Sequence, residues 1–166
     1  NILYKDKTAK SQFIAHSLGI FELYNTVRRL YPDTFSFYTK IELTGRDDYP
    51  RLLPDAHLKP LDPSKTQEFY LDFVDDLAQL LLVKRKITSY IKHCDSDELQ
   101  YTGKIYPEVL LITELASTEK TLHKYIEKKL SYSGVDMKFR TTSKKALLES
   151  QSTGEKIWHQ VGEDEP

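Results

Sequence analysis

The chain has 166 residues, 39% of them apolar and 30% charged, and a net charge of −1. A chain of that size can form one domain and bury a core without disulfides or a structural metal. The near-neutral charge argues against a protein that coats DNA non-specifically, since such proteins carry a strong basic excess, but it leaves room for a local basic patch.

Residues 1–12 read as a polar lead-in or linker, residues 13–150 as the folded domain, and residues 151–166 as a C-terminal tail. From Phe13 to Tyr31 the apolar positions Phe13, Ile14, Leu18, Phe21, Leu23, Tyr24, Val27 and Leu30 recur largely at three- and four-residue steps. That spacing predicts a helix, with Ser17 as a candidate cap and Pro32 as its stop. Phe35 to Leu43 is rich in Phe, Tyr, Thr and Ile and predicts a strand. After a turn at Gly45 to Tyr49, Leu52 to Leu58 predicts a short second strand that carries Pro54 and Asp55. A Pro- and Asp-rich turn follows. Gln67 to Val74 predicts a third strand, with Phe69, Leu71 and Phe73 on one face and Glu68, Tyr70 and Asp72 on a polar one.

Leu77 to His93 predicts a helix, apolar at its start and basic at its end. Asp95 to Gly103 is a polar loop. The run at Pro107 to Thr113 suits a buried parallel strand. Ser117 to Leu130 predicts a helix that Ser117 would cap, Asp136 to Thr142 a last strand, and Lys144 to Ser150 a short helix. Ile157 and Trp158 suggest that the tail docks. The order αβββαβ, followed by a further αβ, predicts an α/β fold. Its sheet is mixed, with an antiparallel meander and a crossover helix.

Few residues point to chemistry. Cys94 is the single cysteine, so an internal disulfide is excluded and a reducing compartment is suited. The five histidines share no metal-ligand spacing, although His57 lies two residues after Asp55 and would share its strand face. Asp55 and Asp72 are the notable acids, because neighbouring strands can bring two such carboxylates together. Close carboxylates repel unless protonated or bridged by a cation. Oxygen ligands suit Mg²⁺ or Mn²⁺, and either ion could polarise a phosphodiester. Glu22 and Glu42 are weaker candidates. Pro54-Asp55 also suits a plain turn, and Asp72 an ordinary strand position.

Two basic groups follow. Lys84, Arg85, Lys86 and Lys92 cluster near the end of a helix, where its dipole favours cations. Lys86 and Tyr90, four residues apart, share a helix face, from which Lys86 could approach the acids or snorkel to solvent. Lys138, Arg140, Lys144 and Lys145 form the second group. Lys84, Arg85, Lys138, Arg140 and Lys144 are the candidate phosphate contacts, with surface solvation as the alternative.

The strand order with Pro54-Asp55 and Asp72 resembles the PD-(D/E)xK nuclease superfamily and its restriction-endonuclease-like core. Val74 holds the place of the motif Lys, which puts catalysis in doubt unless Lys86 has taken over from the helix. Between Phe13 and Leu130 the chain more narrowly resembles the replication-relaxation family of plasmids and mobile elements. The residues that carry the likeness are His16 and Val27, Pro54-Asp55, Phe69-Tyr70-Leu71-Asp72, Lys86-Ile87-Thr88-Ser89-Tyr90 and Tyr106-Pro107-Glu108-Val109-Leu110-Leu111. The family often has a second acid two residues after the first on the third strand, and Val74 departs from that too.

The resemblance implies a cytoplasmic protein of plasmid or conjugative DNA transactions that works by binding or scaffolding. DNA and other replication or transfer proteins would be its partners, with no membrane contact. It also implies an upstream winged-helix domain, so that this chain is part of a longer protein. No cofactor is required unless the site is active, when Asp55 and Asp72 would hold Mg²⁺ or Mn²⁺ and Lys86 would serve catalysis. An active nuclease and a protein-interaction domain without nucleic-acid contact remain as alternatives.

Overall fold

The computed structural model describes residues 11–75, 80–96, 105–152 and 156–163. Its elements are α1 (Ser11–Leu30), β1 (Phe35–Thr39), α2 (Lys40–Leu43), β2 (Ala56–Pro60), β3 (Phe69–Val74), α3 (Leu80–Cys94), β4 (Glu108–Thr113), α4 (Ala116–Ser133), β5 (Phe139–Ser143), α5 (Lys144–Glu149) and β6 (His159–Gln160). The strands form one mixed sheet in the order β1-β2-β3-β4-β5-β6. The pairs β1/β2, β2/β3 and β5/β6 are antiparallel, while β3/β4 and β4/β5 are parallel. The fold is thus mixed α/β with flanking helices, and the meander and the parallel strand at residues 108–113 match the sequence reading.

Each sheet face has its own core. Leu23, Val27 and Leu30 of α1, with Leu147 of α5, pack on Ala56, Leu58, Leu71, Phe73 and Ile112. Val83, Ile87, Tyr90 and Ile91 of α3, with Leu122 and Ile126 of α4, pack on Tyr70, Val74, Val109, Leu111 and Phe139. Strand β3 is therefore covered on both sides, as strands with parallel partners usually are. This corrects the expected polar face: Asp72, between Tyr70 and Val74, points under α3 and is 1% exposed.

The apolar residues of α1 also divide. Leu23, Val27 and Leu30 are buried, while Phe13, Ile14, Leu18 and Phe21 are exposed. Ser17 lies inside this helix rather than at its start, so it is no cap; its hydroxyl donates back to the Phe13 carbonyl at 2.9 Å.

The first strand stops at Thr39 rather than Leu43. There the Glu42 carboxylate accepts from the Thr39 amide at 2.7 Å and from its hydroxyl at 2.8 Å, which turns the chain into α2. The second strand begins at Ala56, so Asp55 precedes it. Helix α4 starts one residue before the expected cap, with Leu115 at the N-cap position and no side-chain cap bond. It ends at Gly134, whose φ of 68° suits a residue without Cβ, and the Gly134 amide donates to the Leu130 carbonyl. The tail docks as its apolar residues suggested: Ile157 and Trp158 pack against the α1-side core, and His159–Gln160 pair with β5. Residues 1–10, 76–79 and most of the polar loop at 95–103 lie outside the described residues. Among the described residues, no helix is long and apolar enough to cross a membrane.

Candidate functional site

Three elements and the segment before β2 deliver polar groups to one point inside the molecule. Asp55 stands just before β2, where its amide donates to the Leu71 carbonyl at 3.0 Å and its carbonyl accepts from the Lys40 amide at 3.1 Å. It is therefore as firmly placed as a strand residue. Asp72 comes from the middle of β3. Lys86 and Tyr90 come from successive turns of α3, on the face that also carries Val83 and Ile87. His16 comes from α1.

The Lys86 ammonium lies between the two acids, 2.7 Å from Asp55 Oδ1 and 2.5 Å from Asp72 Oδ1. The second oxygen of Asp72 accepts from the Tyr90 hydroxyl at 2.5 Å, and its first also takes the Asp55 amide at 3.1 Å. Asp55 Oδ2 accepts from the Phe73 amide at 3.0 Å and lies 3.3 Å from His16 Nε2. The other ring nitrogen of His16 is 3.1 Å from Asp75 Oδ2, and the imidazole stacks on Phe73. Gly19 makes this approach possible: a Cβ there would lie 2.5 Å from the Phe73 ring.

The cluster is buried, with Asp55 8%, Lys86 5% and Tyr90 0% exposed. Burial opposes the ionisation of Asp55, but the His16 hydrogen bond and the Lys86 charge outweigh it and hold the carboxyl well below its usual range. Burial is the stronger influence on Asp72 and raises its pKa despite Lys86. Burial also disfavours the Lys86 ammonium, but Asp72 and Asp55 outweigh it, so the amine stays charged. The Tyr90 hydroxyl is kept protonated by burial and by the neighbouring Asp72. His16 is shifted up, chiefly by its bond to Asp55, with burial working against it.

The residues expected to bind Mg²⁺ or Mn²⁺ fit a divalent ion poorly. Each carboxylate oxygen of Asp55 and Asp72 already faces a protein donor, and an ammonium fills the gap that an ion would bridge. Among the described residues, no three His, Cys, Asp or Glu side chains come together in a way that could hold a metal. Glu42 is engaged at the start of α2, and Glu22 pairs with Lys144 at 2.8 Å. His57 bonds to Tyr49 at 2.8 Å and lies 2.7 Å from Glu68, so it takes no part in the cluster. Burial pushes the Cys94 thiol up to about 11, which keeps it protonated at neutral pH.

The basic candidates separate. Arg140 is paired with Glu108 at 2.8 Å, and Lys144 with Glu22. Lys84 lies over the Tyr125 ring. Arg85 and Lys138 are exposed. Sequence reasoning missed a second buried network. Thr141 donates to Glu119 at 2.7 Å and sits 2.6 Å from His123 Nε2, and His159 is 2.9 Å from the same Glu119 oxygen. It ties α4 and β6 to β5. The four-residue spacing of Glu119 and His123 is the only local signal for it. The chain matches no family model, no curated protein and no solved structure.

Proposed function

We propose that the domain is a DNA-binding or scaffolding component of plasmid or conjugative-element DNA transactions. Its nuclease-like acid pair holds the fold together instead of cutting. The observation that carries the reading is the Lys86 ammonium, buried between Asp55 and Asp72 with the remaining carboxylate oxygens taken by Tyr90, His16 and the Phe73 N–H. Bound in this way the acids are neutralised and satisfied, which is the condition for burying charge at all.

The restriction-endonuclease-like arrangement and the replication-relaxation setting belong to the same proposal. They are supported by His16, Asp55, Asp72, Lys86 and Tyr90, five residues of the resembling motifs, meeting at one point although they are spread over 75 residues of chain. A second reading, an active Mg²⁺- or Mn²⁺-dependent nuclease, is favoured by one fact: the Lys86 amine does reach both acids from α3.

Plasmid nicking with Mg²⁺ or Mn²⁺, run beside a gel shift at low salt, separates the two. The proposal expects a shift and no nicking. Nicking that disappears in both Asp55→Asn and Lys86→Ala would overturn it in favour of the enzyme. No shift of any DNA would overturn it in favour of a protein-interaction domain.

A further inference from the structure

Helix α3 has an outer face as well as the inner one that carries Lys86 and Tyr90. Arg85, Thr88, Ser89 and Lys92 recur at three- and four-residue steps along it. They line a groove of about 520 Å³ with Arg51 and Leu52 from the segment before β2. The groove wall is fixed, because the Leu52 amide donates to the Ser89 hydroxyl at 3.2 Å.

Arg51, Arg85 and Lys92 are exposed, and among the described residues none of the three has a carboxylate partner. The larger groove beside α1, about 820 Å³, is different. Its Lys144 is paired with Glu22, its Arg29 is bound to the Ser150 and Leu148 carbonyls, and Asp75 and Glu114 also line it. In a chain with a net charge of −1, three uncompensated cations converging on one groove make a local anion-attracting field.

We propose that this groove binds the phosphodiester backbone of nucleic acid without reading its sequence. The inference rests on the DNA-handling reading above and names the surface that performs it. Arg85 and Lys92 are seven residues apart on the helix, about 10 Å at the usual rise. That length is more than one phosphate step along a strand, so the groove fits a chain of phosphates better than a single one. Arg supplies planar forked donors to phosphate oxygens, Lys a point charge, and Ser89 and Thr88 neutral groups between them.

The test is fluorescence anisotropy of a labelled mixed-sequence duplex against the full chain over a range of salt. The wild type is compared with Arg51→Ser, Arg85→Ser and Lys92→Ser, singly and together, and with Lys65→Ser as a control, an exposed lysine that does not line the groove. Each of the three side chains is exposed, so circular dichroism and thermal unfolding should match the wild type. The triple variant should bind more weakly at every salt concentration. Its slope of log affinity against log salt should be shallower by about 2.7, close to 0.9 for each phosphate that is no longer neutralised. Lys65→Ser should change neither.

DNA binding with an unchanged slope in the triple variant would overturn the groove assignment while leaving the DNA-handling reading intact. No duplex binding by the wild type at low salt would overturn both. Displacement of the duplex by pyrophosphate at equal total phosphate would show a site for small polyphosphates and also overturn the proposal.

Discussion

Replacing Lys86 by Met should destabilise the fold strongly at neutral pH and much less in acid. Lys86 is 5% exposed, and its ammonium touches both Asp55 and Asp72. Met keeps an unbranched stem in the same space but leaves two carboxyl groups in the core without their cation. Removing one partner of a buried ion pair costs about 3–5 kcal/mol, against a total stability of about 5–15 kcal/mol for a domain.

The pH dependence has a definite sign. In the wild type the folded pKa of Asp55 is lowered, so its contribution is present above the unfolded carboxyl value and is lost as pH falls through the folded one. In Lys86→Met the carboxyls lack the cation and burial raises their folded pKa values. Their contribution is then intact below about pH 4 and is lost as pH rises, by up to about 1.4 kcal/mol per pH unit for each proton the native state retains. Urea unfolding of both proteins from about pH 4 to 7 should therefore show a gap that widens with pH. Adding Asp72→Asn to the variant should recover part of the loss at neutral pH by removing one uncompensated charge. A gap below about 1 kcal/mol that stays flat with pH is what an exposed ion pair gives, and would refute the reasoning.

Tyr90→Phe should cost about 1–3 kcal/mol in chemical denaturation, because it strips a donor from a fully buried Asp72 oxygen and fills no cavity in return. Gly19→Ala should lower stability by about 1–3 kcal/mol in thermal unfolding, since the added methyl meets the Phe73 ring that stacks on His16. Titration of the His16 imidazole by NMR should give a midpoint above 6.5 that falls back in Asp55→Asn; an unchanged midpoint would remove Asp55 as its partner. Because that folded value is raised, the His16 contribution is present below about pH 6.5 and lost as pH rises through it.

The order of strands and helices was legible because hydrophobic period and turn residues are local signals. The boundaries that moved were decided by side chains acting across a few residues. Glu42 reaching back to Thr39 ended β1 early, and a strand-like composition up to Leu43 could not reveal it. The candidate acids were legible as Pro54-Asp55 and Asp72, and Lys86 as a residue four before Tyr90. Their burial was not. An alternating strand with an acid on one face reads as half-exposed, and only the packing of α3 over that face turns it into core. The same applies to Glu119, Thr141 and His159, which three different elements bring together.

Helix α3 joins the two features, and it does so asymmetrically. Lys86 and Tyr90 lock its inner face to Asp72, while Arg85, Ser89 and Lys92 form one wall of the groove on its outer face. Arg51, Arg85 and Lys92 are exposed, so removing their charges should weaken the DNA binding proposed for this surface without affecting stability. The reverse does not hold. A change at Lys86 or Tyr90 that lets the helix shift would also move Ser89 away from the Leu52 amide and loosen the opposite wall that carries Arg51. A Tyr90→Phe protein still folded at low temperature should therefore lose some DNA affinity, although Tyr90 is fully buried and can touch no DNA. Unchanged affinity in that variant would mean that the acid cluster supports the core but does not set the geometry of the groove.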